Sequence, residues 1–103
     1  MNATEHLLVV LGEECAEVQQ NIAKALRFGL DDHHPDKTET NRRLITNELA
    51  DLFAVYEMLV ESKELPRITA EQISKKKTRV YHWMQHAKNN KSLENGKEDT
   101  NKE

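Results

Sequence analysis

Apolar residues recur along the first part of the chain at steps of three and four. Leu8, Leu11, Cys15, Val18, Ile22 and Ala25 keep that rhythm, which is the period of one helix face packed on other helices. The spacing predicts a first helix from about Thr4 to Phe28, with Thr4 as its N-cap and Gly29 as the residue that ends it. Residues 29–40 (GLDDHHPDKTET) hold one Gly and one Pro among polar side chains and read as a loop. A second helix is predicted from about Asn41 to Lys63, capped by Thr40 or Asn41, with Ile45, Leu49, Leu52, Tyr56 and Leu59 as its seam. Pro66 ends the connection that follows. Thr69 and Gln72 stand at capping-box spacing and open a third helix over about Ala70–Lys88. Its apolar face is thinner, with Ile73, Val80, Trp83, Met84 and Ala87. Residues 1–88 are thus expected to form one helical domain. Residues 89–103, with Leu93 as the only sizeable apolar side chain, are expected to form a disordered polar tail.

Composition sharpens this picture. The chain has 103 residues, 37% apolar and 32% charged, with three Gly and two Pro. So few turn formers argue against an all-β fold, and so small a chain buries little surface per residue. The expected class is all-α, a small amphipathic bundle of about three helices per chain. Leu7, Val10, Leu26 and Phe28 lie off the first seam, and Phe53, Met58 and Val60 off the second. A homodimer or dimer of dimers is expected to cover them by completing a four-helix core. The longest apolar run, Leu7 to Leu11, is too short to span a membrane, and Glu5 before it argues against a signal peptide. Cys15 is the sole cysteine, which excludes an intrachain disulfide and points to the cytoplasm. The net charge of −3, from 15 basic and 18 acidic residues, argues against binding a nucleic-acid duplex by bulk charge.

Candidate chemistry enters with the carboxylates. Val10, Glu14, Glu17, Asn21, Lys24 and Phe28 form a second stripe beside the first seam, and Leu44, Glu48, Asp51, Val55 and Met58 do so on the second helix. Each helix therefore carries two acids one turn apart, about 5–6 Å between Cβ atoms, flanked by apolar residues. Packed together, four acids would repel and would be costly to remove from water. A hard divalent cation, Mg²⁺ or Mn²⁺, answers both problems, because such ions take oxygen ligands. Glu13 faces away from the seam.

Other polar groups have plainer readings. Lys24 and Arg27 complement the dipole at the end of the first helix. Lys77 falls between Ile73 and Val80 within a basic cluster completed by Lys75, Lys76 and Arg79; it either snorkels or faces an anion. Asp31, Asp32, His33, His34 and Asp36 read as a solvated loop. His82 and His86 have zinc-ligand spacing without a third ligand. Cys15 packs as a small hydrophobe.

EECAE at Glu13–Glu17 followed by ELAD at Glu48–Asp51 resembles the EExxE…ExxD signature of the all-α nucleoside triphosphate pyrophosphatases. KALRFG and TNRRLITNELADLFAVYEML look most like the small MazG-like proteins of that superfamily, and the resemblance covers about residues 5–90. It implies a Mg²⁺-dependent enzyme that hydrolyses a nucleoside triphosphate to the monophosphate and pyrophosphate. Glu14, Glu17, Glu48 and Asp51 would be the metal ligands, with Glu13 completing the catalytic motif. Lys24, Lys77 and Arg79 would meet substrate phosphates. The rival reading is a non-catalytic helical interaction or regulatory module that keeps the same bundle.

Overall fold

The computed structural model describes residues 1–94; residues 95–103, most of the expected polar tail, lie outside the described residues. Among the described residues there are three helices and no strand: α1 over Ala3–Phe28, α2 over Asn41–Glu61 and α3 over Ala70–Asn89. The ends follow local chemistry. Asn2, rather than Thr4, caps α1. Its side chain accepts from the Glu5 N–H at 2.8 Å while Glu5 accepts from the Asn2 N–H at 3.0 Å, so the acid three residues on decides the cap. Gly29 closes α1 with φ 103°, a region glycine enters without a Cβ penalty. Thr40 caps α2 through the Arg43 N–H, and Thr69 with Gln72 forms the expected capping box of α3.

The C-termini of α2 and α3 end alike. Lys63 and Lys91 adopt φ near 65°, and the next N–H reaches back to Leu59 or Ala87, both at 2.9 Å. That is the Schellman closure, made here with lysine where glycine is the commoner residue.

The described residues fall into two compact units, one over Met1–Pro66 and one beginning at Arg67. In the first, α1 and α2 form an antiparallel hairpin, Asn41 standing beside Gly29 while Glu48 comes level with Glu14 and Glu17. The hairpin loop is braced from the start of α2. Asn41 is buried; its Nδ2 donates to the Gly29 carbonyl at 2.9 Å, and its N–H donates to the Asp32 carbonyl at 2.8 Å. The Arg42 N–H bonds the Leu30 carbonyl at 2.8 Å, and the Arg42 guanidinium holds Asp31 with an Nε–Oδ1 distance of 3.1 Å.

The packed face of α1 differs from the expected seam. Leu7, Leu11, Glu14, Val18, Asn21 and Ala25 are half-buried or buried, whereas Leu8, Cys15 and Ile22 are exposed. On α2 the packed positions are Asn41, Leu44, Ile45, Glu48, Leu52, Val55, Tyr56 and Leu59, with Leu49 and Asp51 exposed. Each helix is turned so that its acid-bearing stripe meets the other. A single partner helix covers only one stripe, so the Leu8–Cys15–Ile22 edge stays outside it. The apolar core is therefore small: Ala25, Val55 and Leu59 are the buried apolar side chains of the described residues.

The second unit holds α3, none of whose residues is buried. Glu71 and Lys75 pair at 3.1 Å along its first turns, and Trp83 stands edge-on between His82 and His86. No helix among the described residues is long and apolar enough to cross a membrane.

The loop brace makes a testable claim. Asn41→Ala removes the buried side chain that donates to the Gly29 carbonyl and should cost about 0.5–1.5 kcal/mol in urea unfolding. Asn41→Asp should cost more than alanine, because a carboxylate would face the Gly29 oxygen. An aspartate variant as stable as the wild type would show that this bond does not hold the loop.

Candidate metal centre

Glu14 and Glu17 stand one turn apart on α1, and the antiparallel hairpin brings Glu48 of α2 level with them. One carboxylate oxygen from each lies within 4.8 Å of the others. Glu14 and Glu48 are half-buried on the packed face, and Glu17 at its rim is exposed. Among the described residues no other set of three His, Cys, Asp or Glu side chains converges in this way. The loop acids and histidines do not, nor do His82 and His86.

The remaining expected residues are not members of this triad. Asp51 is exposed one turn beyond Glu48 and outside the converging group; Glu13 is exposed on α1. Lys24 is exposed near the end of α1 and lines a cavity beside the hairpin loop. Lys77 and Arg79 are exposed on α3, in the second unit. Two asparagines carry more than the sequence reading gave them. Asn21 lies half-buried on the acid stripe, and Asn41 is the buried loop brace rather than a simple cap. Their signal was in the pattern: a polar residue at an apolar-spaced position needs a partner once packed.

Electrostatics within the triad are strained. The Glu48 carboxyl is raised from 4.5 to about 7. The largest cause is a hydrogen bond with Glu17, which requires a proton on Glu48. Desolvation follows, then a hydrogen bond with Glu14 and repulsion from both neighbours. Even so, Oε2 of Glu14 and Oε2 of Glu48 are shut away from solvent with no hydrogen-bond partner. Unpartnered buried oxygens of this kind are costly. Glu14, Glu17 and Glu48 could hold one divalent cation, which would satisfy both oxygens and displace the Glu48 proton. An all-carboxylate donor set suits Mg²⁺ or Mn²⁺ better than a thiolate- or imidazole-seeking metal.

The raised Glu48 pKa fixes a sign for pH dependence. Between pH 4.5 and about 7 the folded protein holds a proton that the unfolded chain has released, so stability falls as pH rises through that window. Thermal melting in EDTA should show this loss, and Glu48→Gln, which cannot titrate, should flatten it. Parallel pH profiles for wild type and variant would mean that the Glu48 carboxyl is not held protonated. Comparison with protein-family models, with curated proteins and with solved structures finds no match to this chain.

Proposed function

We propose that this protein is a Mg²⁺-dependent nucleoside triphosphate pyrophosphohydrolase, with Mn²⁺ able to substitute. The observation that carries the reading is the meeting of Glu14, Glu17 and Glu48 across two helices, with two buried oxygens left without partners. The likeness of EECAE and ELAD to the EExxE…ExxD signature supports it, because three of the signature acids are the three that converge. Asp51, one turn from Glu48, is the fourth acid of the proposed set.

Carboxylates held on two packed helices would keep the metal in a fixed place, since neither backbone needs to move to bring them together. The bound cation would supply charge neutralisation at the triphosphate oxygens. A motif carboxylate would take the proton of the water that attacks the α-phosphorus. The new bond joins water oxygen to that phosphorus, the α–β phosphoanhydride breaks, and pyrophosphate leaves. Lys24, on the Glu17 stripe of α1, is the cation proposed to meet substrate phosphate in this unit.

A second copy of the chain is part of the proposal. In the first unit Leu26 is 84% exposed, Phe28 62% and Phe53 60%, and Leu8, Ile22 and Leu49 are exposed as well. Soluble monomers rarely leave so much apolar surface uncovered. Two hairpins packed on these edges would form a four-helix core.

Two measurements test this. Pyrophosphate release from a panel of canonical and modified ribo- and deoxyribonucleoside triphosphates should require Mg²⁺ or Mn²⁺. Glu17→Gln and Glu48→Gln should each lower it by about 100-fold or more with helix content kept, since even supporting groups of metal sites cost 10–100-fold. No release from any triphosphate, or variants as active as wild type, would overturn the reading and favour the non-catalytic module. Light scattering should give at least twice the 11.9 kDa of one chain; a monomer at micromolar concentration would remove the second copy.

A further inference from the structure

No residue of α3 is buried, and Ile73, Val80, Trp83 and Met84 are exposed along it. At 3.6 residues per turn, Ile73, Val80, Met84 and Ala87 share one apolar stripe. Both edges of that stripe repeat the same chemistry. On one edge Arg79 and Trp83 stand one turn apart, and on the other Lys77 and Tyr81 do so. Each of the four lies roughly 50–110° from the middle of the stripe. Lys76 adds a second cation to the Trp83 edge. Glu71, the one acid of α3, falls on the opposite face, where it pairs with Lys75 at 3.1 Å.

The two faces differ in how their groups are satisfied. Away from the stripe, Thr78 Oγ1 donates to the Ser74 carbonyl at 3.2 Å, and Gln85 Nε2 donates to Asn89 Oδ1 at 3.0 Å. These polar groups find partners within the helix. The stripe side instead holds two grooves, of about 400 and 570 Å³. Ile68 and Ile73 line the first, and Val80, Trp83, Met84 and Ala87 line the second. Lys76 lines both, and no acidic side chain lines either.

The occupant of this face must accept apolar side chains in the middle and cations with aromatic rings on both sides. A second α3 would set cation against cation along both edges, which is costly. A groove in a protein partner has two different walls and gives no reason for like chemistry on each. An anionic bilayer surface matches the whole pattern. A helix lying flat on it sinks its stripe toward the acyl chains and brings both edges to one depth, that of the headgroups. There the stems of Lys and Arg carry their charges to lipid phosphates. Trp and Tyr rings are favoured at the same level, where one side is apolar and the other wet.

We infer that α3 is a membrane-surface helix. It lays Ile73, Val80, Met84 and Ala87 on an anionic phospholipid bilayer, with Lys76, Lys77 and Arg79 among the headgroups. The helix lies on the surface and does not cross it, being neither long nor apolar enough to do so. This holds whether or not the first unit is an enzyme.

Trp83 is the only tryptophan, so its emission in the full chain reads the contact directly. The probes are vesicles of phosphatidylserine and phosphatidylcholine in equal parts, and vesicles of phosphatidylcholine alone. The mixed vesicles should move Trp83 emission to shorter wavelength, and lipids brominated on the acyl chain should quench it. Phosphatidylcholine alone should do neither. Lys77→Ala and Arg79→Ala should each weaken binding about fivefold, the share of one basic residue near an anionic surface. Val80→Asp should abolish binding, while Thr78→Asp, which adds the same charge on the other face, should cost no more than the loss of one cation. These side chains are all exposed, and helix content read by circular dichroism should stay that of the wild type. No emission change on mixed vesicles, or an equal change on phosphatidylcholine, overturns the inference. So does Thr78→Asp proving as damaging as Val80→Asp, since attraction would then have no orientation. An emission shift with polyglutamate or single-stranded DNA but none with vesicles would give the face to an acidic macromolecule. A shift that follows protein concentration without lipid, and none on adding vesicles, would give it to another copy of the chain. Either result overturns the membrane assignment.

Discussion

Carboxylates on the face where two helices pack set the conditions for the rest of the first unit. Glu14 and Glu48 occupy positions that a plain hairpin would fill with leucine, between Leu11 and Val18 on one side and between Leu44 and Leu52 on the other. Burying them beside Glu17 costs solvation, leaves two oxygens without partners and holds a proton on Glu48 up to about pH 7. A sequence selected only for stability would not place like charges there, because apolar residues of similar size do as well or better. Such a defect in an otherwise regular helix pair is the feature on which the proposed metal site rests.

The hairpin keeps this arrangement with little apolar burial. Leu59 is fully enclosed, and Ala25 and Val55 complete the buried apolar set. Polar bracing at the loop end compensates: Asn41 bonds the end of α1 and the loop at once, and Arg42 ties Asp31. These bonds hold α1 and α2 in the register that brings Glu48 level with Glu14 and Glu17. A slip of one helical turn would carry Glu48 about 5.4 Å along the axis, enough to break a group whose oxygens lie within 4.8 Å.

The braced loop also borders a cavity. His33 Nδ1 lies 2.9 Å from the His34 carbonyl and the Asp36 N–H donates to His34 Nδ1 at 3.1 Å, while Lys24 and Arg27 line the same cavity. Read as a sequence, GLDDHHPDKTET is a solvated connection. Closing the hairpin makes it one wall of that cavity.

Local signals determined the elements. Gly29 ends α1, Thr40 caps α2, and Thr69 with Gln72 opens α3, each through bonds within a few residues. The paired acids at one-turn spacing were equally legible, since helix geometry alone puts Glu14 with Glu17 on one side. Rotation about the helix axis was not legible. Leu8–Cys15–Ile22 and Leu7–Glu14–Asn21 are neighbouring stripes, and hydrophobicity favours the first, yet the second faces α2. Only the partner helix decides between stripes a fraction of a turn apart, because it fixes which side chains share the contact. That choice put Glu48 into the triad and left Asp51 outside it, and it turned Asn41 from a cap into a buried brace.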